Sequence, residues 1–134
     1  MLFRSVGDPH HPLTHHNGDP AKVANVLKIN IFHMTQFAYF LDKMAATMDG
    51  DKSLLDRTLV MLGSAISDGN LHLHDNLPMI LLDSGRIAGL KQGHHIKYPA
   101  ATPLANMYMT LMEQLGMPLE RLGDSTGKLP GLTA

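Results

Sequence analysis

An α/β fold is predicted by three features of this 134-residue chain. A long stretch of helical periodicity follows Gly18-Asp19-Pro20, two short and almost wholly apolar runs have strand length, and a second helical stretch follows Thr102-Pro103. A helix feeding a short apolar strand is the pattern of a sheet with helices packed on it. The chain is long enough for one substantial core and too short for two, so residues 6–134 read as a single domain.

Taken in order, Asp19 is suited to cap free backbone N–H groups and Pro20 to occupy the first helical position. Val23, Val26, Leu27, Met34, Phe37, Ala38, Leu41, Met44 and Met48 then recur along one face, which predicts a helix over 20–48 ended by Asp49-Gly50-Asp51. Thr58-Leu59-Val60-Met61-Leu62-Gly63 predicts a buried strand near 58–63. Ser67-Asp68-Gly69-Asn70 breaks it, and an irregular loop carries His72 and His74 as far as Asn76-Leu77-Pro78. Met79-Ile80-Leu81-Leu82 predicts a second buried strand at 79–82. Glycines 85, 89 and 93 punctuate a hairpin-like stretch that delivers His94-His95 to a strand ending near Tyr98-Pro99. Thr102-Pro103 opens a helix over 103–115, with Leu104, Met107, Tyr108, Leu111, Met112 and Leu115 on its buried side and Gly116 at its end. The tail from Asp124 is loop-like.

The formal net charge of -1, with basic residues scattered along the chain, argues against nucleic acid as a partner. No apolar run approaches the length of a membrane span, and the first residues lack the pattern of a secretory signal. With no cysteine, disulfides and thiolate ligands are excluded. Met1-Leu2-Phe3-Arg4-Ser5 is what a start codon followed by the end of a common sequencing adapter encodes, so residues 1–5 are expected to be an artefact. The remainder then reads as the C-terminal piece of a longer protein whose N-terminal half is missing.

Eight of the nine histidines fall in three clusters: His10-His11 with His15-His16, His72 with His74, and His94-His95. Imidazole ligands must converge on one ion, and short spacings bring them together, so the pattern points to a metal site. The step from His11 to His15 places two rings on one face if that segment is helical; the alternative is a solvated loop or a tag-like artefact. Asp68 is a candidate ligand or orienting residue, against a plain turn-forming role shared with Gly69 and Asn70. His72 and His74 point the same way if extended. Of the adjacent pair only one can face a site from a strand, and His95 is preferred to His94. His33, alone in the long helix, reads as structural. The metal candidates are therefore His11, His15, His16, Asp68, His72, His74 and His95, with zinc favoured over magnesium because nitrogen donors dominate. If they share an ion, side-chain nitrogens of His15 or His16 should lie within about 8 Å of those of His72 or His74.

Nearly the whole chain after Ser5 resembles the C-terminal part of the domain of unknown function 1552 family of bacterial proteins. The likeness is carried by His10-His11-Pro12-Leu13-Thr14-His15-His16, Phe37-Ala38-Tyr39-Phe40-Leu41, Ser67-Asp68-Gly69-Asn70, His74-Asp75-Asn76-Leu77-Pro78 and Gly123-Asp124-Ser125-Thr126-Gly127. That family looks like a relative of the alkaline-phosphatase-like and sulfatase-like superfamily, which implies a partial sheet of that type and one or two metal ions held at its edge by Asp and His. Carried over, His15 or His16 matches the first ligand loop, Asp68 the strand-end aspartate, and His95 or His94 the late ligand. One departure is Gly69, where the superfamily commonly has His directly after that aspartate.

Two functions follow as expectations. The first is a metal-dependent hydrolase of phosphate or sulfate esters, small or polymeric, represented here by a fragment expected to be inactive alone. The second is a non-catalytic binding or assembly protein that keeps the fold. The resemblance implies a periplasmic or secreted location for either.

Overall fold

The computed structural model describes residues 6–133. The adapter-like segment 1–5 lies outside the described residues. The described elements are helices α1 (His10–Thr14), α2 (Pro20–Ala46) and α3 (Ala105–Gln114), and strands β1 (Met48–Asp49), β2 (Lys52–Ser53), β3 (Val60–Gly63) and β4 (Met79–Leu82). They fall into two compact units, one of residues up to Ala46 with Ser64–Pro78, the other of Thr47–Gly63 with the chain from Met79 onward. None of the described helices is long and apolar enough to cross a membrane.

Helices and strands are both present, but the strands form two separate two-stranded antiparallel sheets, β1 with β2 and β3 with β4. In β3 and β4, Val60 faces Leu82 and Gly63 faces Met79. The two apolar runs are therefore partners in one ribbon, and the expectation that both are buried is corrected: Val60 is buried while Met61 and Ile80 are exposed. An antiparallel ribbon has one face free, and alternate side chains on it meet solvent. Strand β3 begins at Val60 because a 3-10 turn at Leu55–Arg57 reaches Thr58, whose N–H donates to the Leu55 carbonyl.

In the first unit α2 starts as its sequence dictates: the Asp19 carboxylate accepts the N–H of Ala21 at 2.8 Å and of Lys22 at 3.3 Å. It ends at Ala46, two residues before the predicted boundary, because Met48 is drawn into the β1–β2 hairpin through Gly50 at φ +68°. The short helix α1 packs on α2 through a small core of Val6, Leu13 and Ile29 with Val26 against it. Leu13 and Ile29 are fully buried, so this pair sets where α1 and its histidines sit.

The second unit is built on Ala88, Leu90, Met107 and Leu111, with Leu59, Met79, Leu81, Leu104, Tyr108, Leu129 and Leu132 packed around them. The helix predicted over 103–115 is Ala105–Gln114. Thr102 does not cap it, since its hydroxyl donates back to the Pro99 carbonyl at 2.7 Å. Gly116 at φ +75° ends it as expected, with the Met117 N–H reaching the Met112 carbonyl. Its buried side includes Asn106 and Thr110, and Leu115, expected inside, is exposed. These polar residues hold the loop-like tail. Asn106 accepts the Thr126 N–H at 2.9 Å and donates to the Thr126 hydroxyl, while the Thr110 hydroxyl accepts the Leu129 N–H at 2.8 Å.

Asp83, directly after β4, is fully buried and was not singled out by sequence. Its carboxylate accepts the N–H of Ile87 at 2.6 Å, Ala88 at 3.0 Å and Leu90 at 3.1 Å. Two of these donors belong to core residues, so the carboxylate shapes the turn that presents the core.

Asp56 accepts hydroxyl protons from Ser53 and Ser84, both at 2.8 Å. These bonds, Ser53 first, hold its pKa below the usual 3.8 against the opposing effect of desolvation. Because folding lowers this pKa, the ionised carboxylate adds stability above the unfolded value of 3.8, and that contribution is lost as pH falls through the lower folded value. Asp56→Asn is thus expected to flatten the acid limb of a stability–pH curve below about pH 4. Urea midpoints of both proteins across that range provide the check. Parallel acid limbs would remove Asp56 from the account.

Candidate functional site

The first histidine cluster is organised by α1. His11 and His15 lie four residues apart, and their rings meet edge to face with centroids 4.7 Å apart. The second cluster lies on the loop of Ser64–Pro78. That loop is drawn onto α1 by two contacts within the first unit. The Asn70 side-chain oxygen accepts the Asn17 N–H at 2.9 Å, and Gly69 approaches Thr14 so closely that a Cβ on it would lie 2.8 Å from the Thr14 Cβ. This close approach gives a physical reason for Gly69: any side chain there would push the loop off α1.

His72 adopts a left-handed backbone at φ +54° and turns its ring toward the first cluster. The centroids of His15 and His72 are 4.9 Å apart. A ring nitrogen lies little more than an ångström from its centroid, so the nitrogens of these two residues fall within the separation expected for sharing an ion. His11, His15 and His72 thus form a continuous group of imidazoles, with His15 in the middle.

The other candidates are placed differently. The Nδ1 of His16 accepts the Gly18 N–H at 3.1 Å, which commits that lone pair to the turn before α2 and leaves the proton of the neutral ring on Nε2. Between His15 and His16, it is His15 that meets the second cluster. The Nδ1 of His74 is 2.7 Å from the Ala65 carbonyl, so it donates there and Nε2 carries the free lone pair. The segment is not extended at His72, whose left-handed backbone departs from the geometry that would align it with His74. His94 and His95 are exposed on an irregular segment of the second unit and not on the strand expected there.

Asp68 lies five residues beyond the end of β3 and forms a turn. One of its oxygens, Oδ1, accepts the N–H of Asn70 at 2.8 Å and of Leu71 at 3.1 Å. Its backbone pairs with Leu73. Asp68 and His16, with Thr14, Val26, Ser67 and Gly69, line a cleft of about 200 Å³. Among the described residues no three His, Asp or Glu side chains are arranged to hold one ion as they stand. Imidazole nitrogen suits zinc, and joint use of three rings requires side-chain rotation.

The chain matches no protein-family model, no curated protein and no solved structure.

Proposed function

We propose that the first unit binds a divalent ion of zinc type through His15 and His72, with His11 as the third imidazole. The approach of His15 to His72 across 57 residues of sequence supports this reading most strongly. Nothing in local sequence requires two loop histidines to meet, and their contact supplies two borderline nitrogen donors to one place. His74 adds a ring whose Nε2 is free and whose orientation is set by a carbonyl, as ligating histidines commonly are. Asp68 stands as a further donor in the fuller reading. That reading is a metal-dependent hydrolase of phosphate or sulfate esters with an alkaline-phosphatase-like fold, in a periplasmic or secreted protein of the domain of unknown function 1552 family. Its support is the motif resemblance.

Calorimetric titration with zinc tests the binding. His15→Ala and His72→Ala are each expected to weaken affinity about tenfold or more, since each removes one of few donors. His16→Ala, whose Nδ1 already serves the turn, should change it less than about twofold. Equal losses from all three variants, or no zinc binding at all, would discard the assignment. Aryl phosphate and aryl sulfate turnover by the zinc-loaded chain tests the hydrolase reading separately.

One observation favours the non-catalytic alternative. One Asp68 carboxylate oxygen, Oδ1, already accepts two backbone N–H groups of its own turn. A protein that keeps the turn and the imidazoles for binding or assembly accounts for that use. Zinc binding without ester turnover by a chain joined to any longer natural sequence would select it.

A further inference from the structure

Helix α2 runs for 27 residues, about 40 Å at the rise of an α-helix. Ala24, Leu27, Ile31, Met34, Ala38, Leu41 and Ala45 follow one another at alternating steps of three and four, and every one is apolar. A 3.5-residue repeat sustained over three heptads is the seam of a two-helix coiled coil. Yet this seam is not the face α2 uses in its own unit, which is that of Val26 and Ile29. Leu27 is 58%, Ile31 57% and Met34 45% exposed, and only Leu41 of the seven is half-buried.

We infer that this seam is a self-association face on which a second copy of the chain docks its own α2 in antiparallel orientation. The pattern of side-chain size selects the orientation. Ala24, Ile31, Ala38 and Ala45 occupy one seam position and Leu27, Met34 and Leu41 the other. A parallel pair sets like positions together and stacks alanine on alanine. An antiparallel pair sets opposite positions together, so that small faces large in most layers.

Charge selects the register. Lys28 and Asp42 flank the seam on the same side, both exposed, and the ammonium of Lys28 donates to the neutral Asn25 side chain at 3.2 Å. With the two-fold axis near position 36, Leu27 meets Ala45 of the other copy, Ile31 meets Leu41, and Met34 meets Ala38. In that same register Lys28 faces Asp42 of the other copy at both ends. The apolar layers and the ion pairs call for one alignment, and the two pairs repeat by symmetry.

Sedimentation equilibrium of the full chain is expected to show a monomer–dimer equilibrium. Leu27→Glu should weaken it at least about a hundredfold by placing a charge in the seam, and circular dichroism should remain unchanged because Leu27 is exposed in the single copy. Lys28→Glu alone and Asp42→Lys alone should each weaken it about tenfold, and the double variant should restore it. The absence of native cysteine permits a geometric check. Thr35→Cys lies beside the two-fold axis and should cross-link to itself under oxidation, whereas Lys28→Cys, about 24 Å from its mate along the axis, should not. A chain that stays monomeric at roughly 100 µM, a double charge variant that fails to recover, or efficient self-cross-linking at 28 in place of 35 would each overturn the proposal.

Discussion

Asp83→Ala is expected to lower the thermal midpoint of the second unit by about 15 °C or more, corresponding to a loss of about 3–5 kcal/mol. The carboxylate is fully buried and accepts three backbone N–H groups at 2.6 to 3.1 Å. Alanine removes every acceptor at once. Each buried donor left unpaired costs about 1–3 kcal/mol, far more than the net gain of an ordinary hydrogen bond. Two of the donors are the N–H groups of Ala88 and Leu90, which anchor the core with Met107 and Leu111, so the turn cannot open to water without unpacking that cluster. Against a typical total of about 5–15 kcal/mol, the loss takes a large part of the unit's stability. Asp83→Asn should fall between, since it keeps one acceptor oxygen and turns an NH2 group toward donors. Differential scanning calorimetry of the three proteins is the measurement. An alanine variant melting within about 3 °C of the parent would show that the cradle contributes little.

Gly85→Ala is expected to cost about 3 kcal/mol or more, for a steric reason. A Cβ built on Gly85 lies 1.7 Å from the carbonyl oxygen of Asp56 and 2.5 Å from its carbonyl carbon. No rotamer relieves a clash between two backbones, so the turn after β4 must move away from the 3-10 turn by more than an ångström. That movement would stretch the Ser84 to Asp56 hydrogen bond and tilt Asp83 out of its cradle. Gly89→Ala is the contrasting variant. Its added Cβ would meet only the Gln114 side chain at 3.9 Å, although φ +58° still carries a backbone penalty of about 1 kcal/mol. Urea unfolding should rank Gly85→Ala well below Gly89→Ala. The reverse order would mean that the approach to Asp56 relaxes without cost.

The zinc and dimer experiments draw on different residues of α1, α2 and the 64–78 loop, so they can fail separately. His15→Ala leaves the seam of Leu27 and Met34 untouched, and Leu27→Glu leaves the imidazole group untouched. Dimerisation with unchanged zinc affinity, or the opposite, is therefore interpretable for each.

Features governed by neighbours in sequence were legible in the chain itself. Asp19 and Pro20 marked the start of α2, Gly116 the end of α3, and the run Met79 to Leu82 the whole of β4. The four-residue step from His11 to His15 was enough to place two rings together once α1 formed, because helical periodicity is local. Pairing was not legible. Two apolar runs read equally well as neighbours in a parallel sheet or as an antiparallel ribbon, and only the long-range register of Val60 with Leu82 decided it. The use of polar groups was likewise decided in three dimensions. Asp68 spends an oxygen on its own turn and His16 a nitrogen on Gly18, while Asp83, unmarked in sequence, holds three backbone donors. The meeting of His72 with His15 needed a left-handed turn, a glycine against Thr14 and an asparagine bridging to Asn17. The sequence determined which residues could do chemistry and where helices begin and end. Tertiary structure alone decided which of them meet, because a hydrogen bond or a ring contact depends on distances that no local spacing sets.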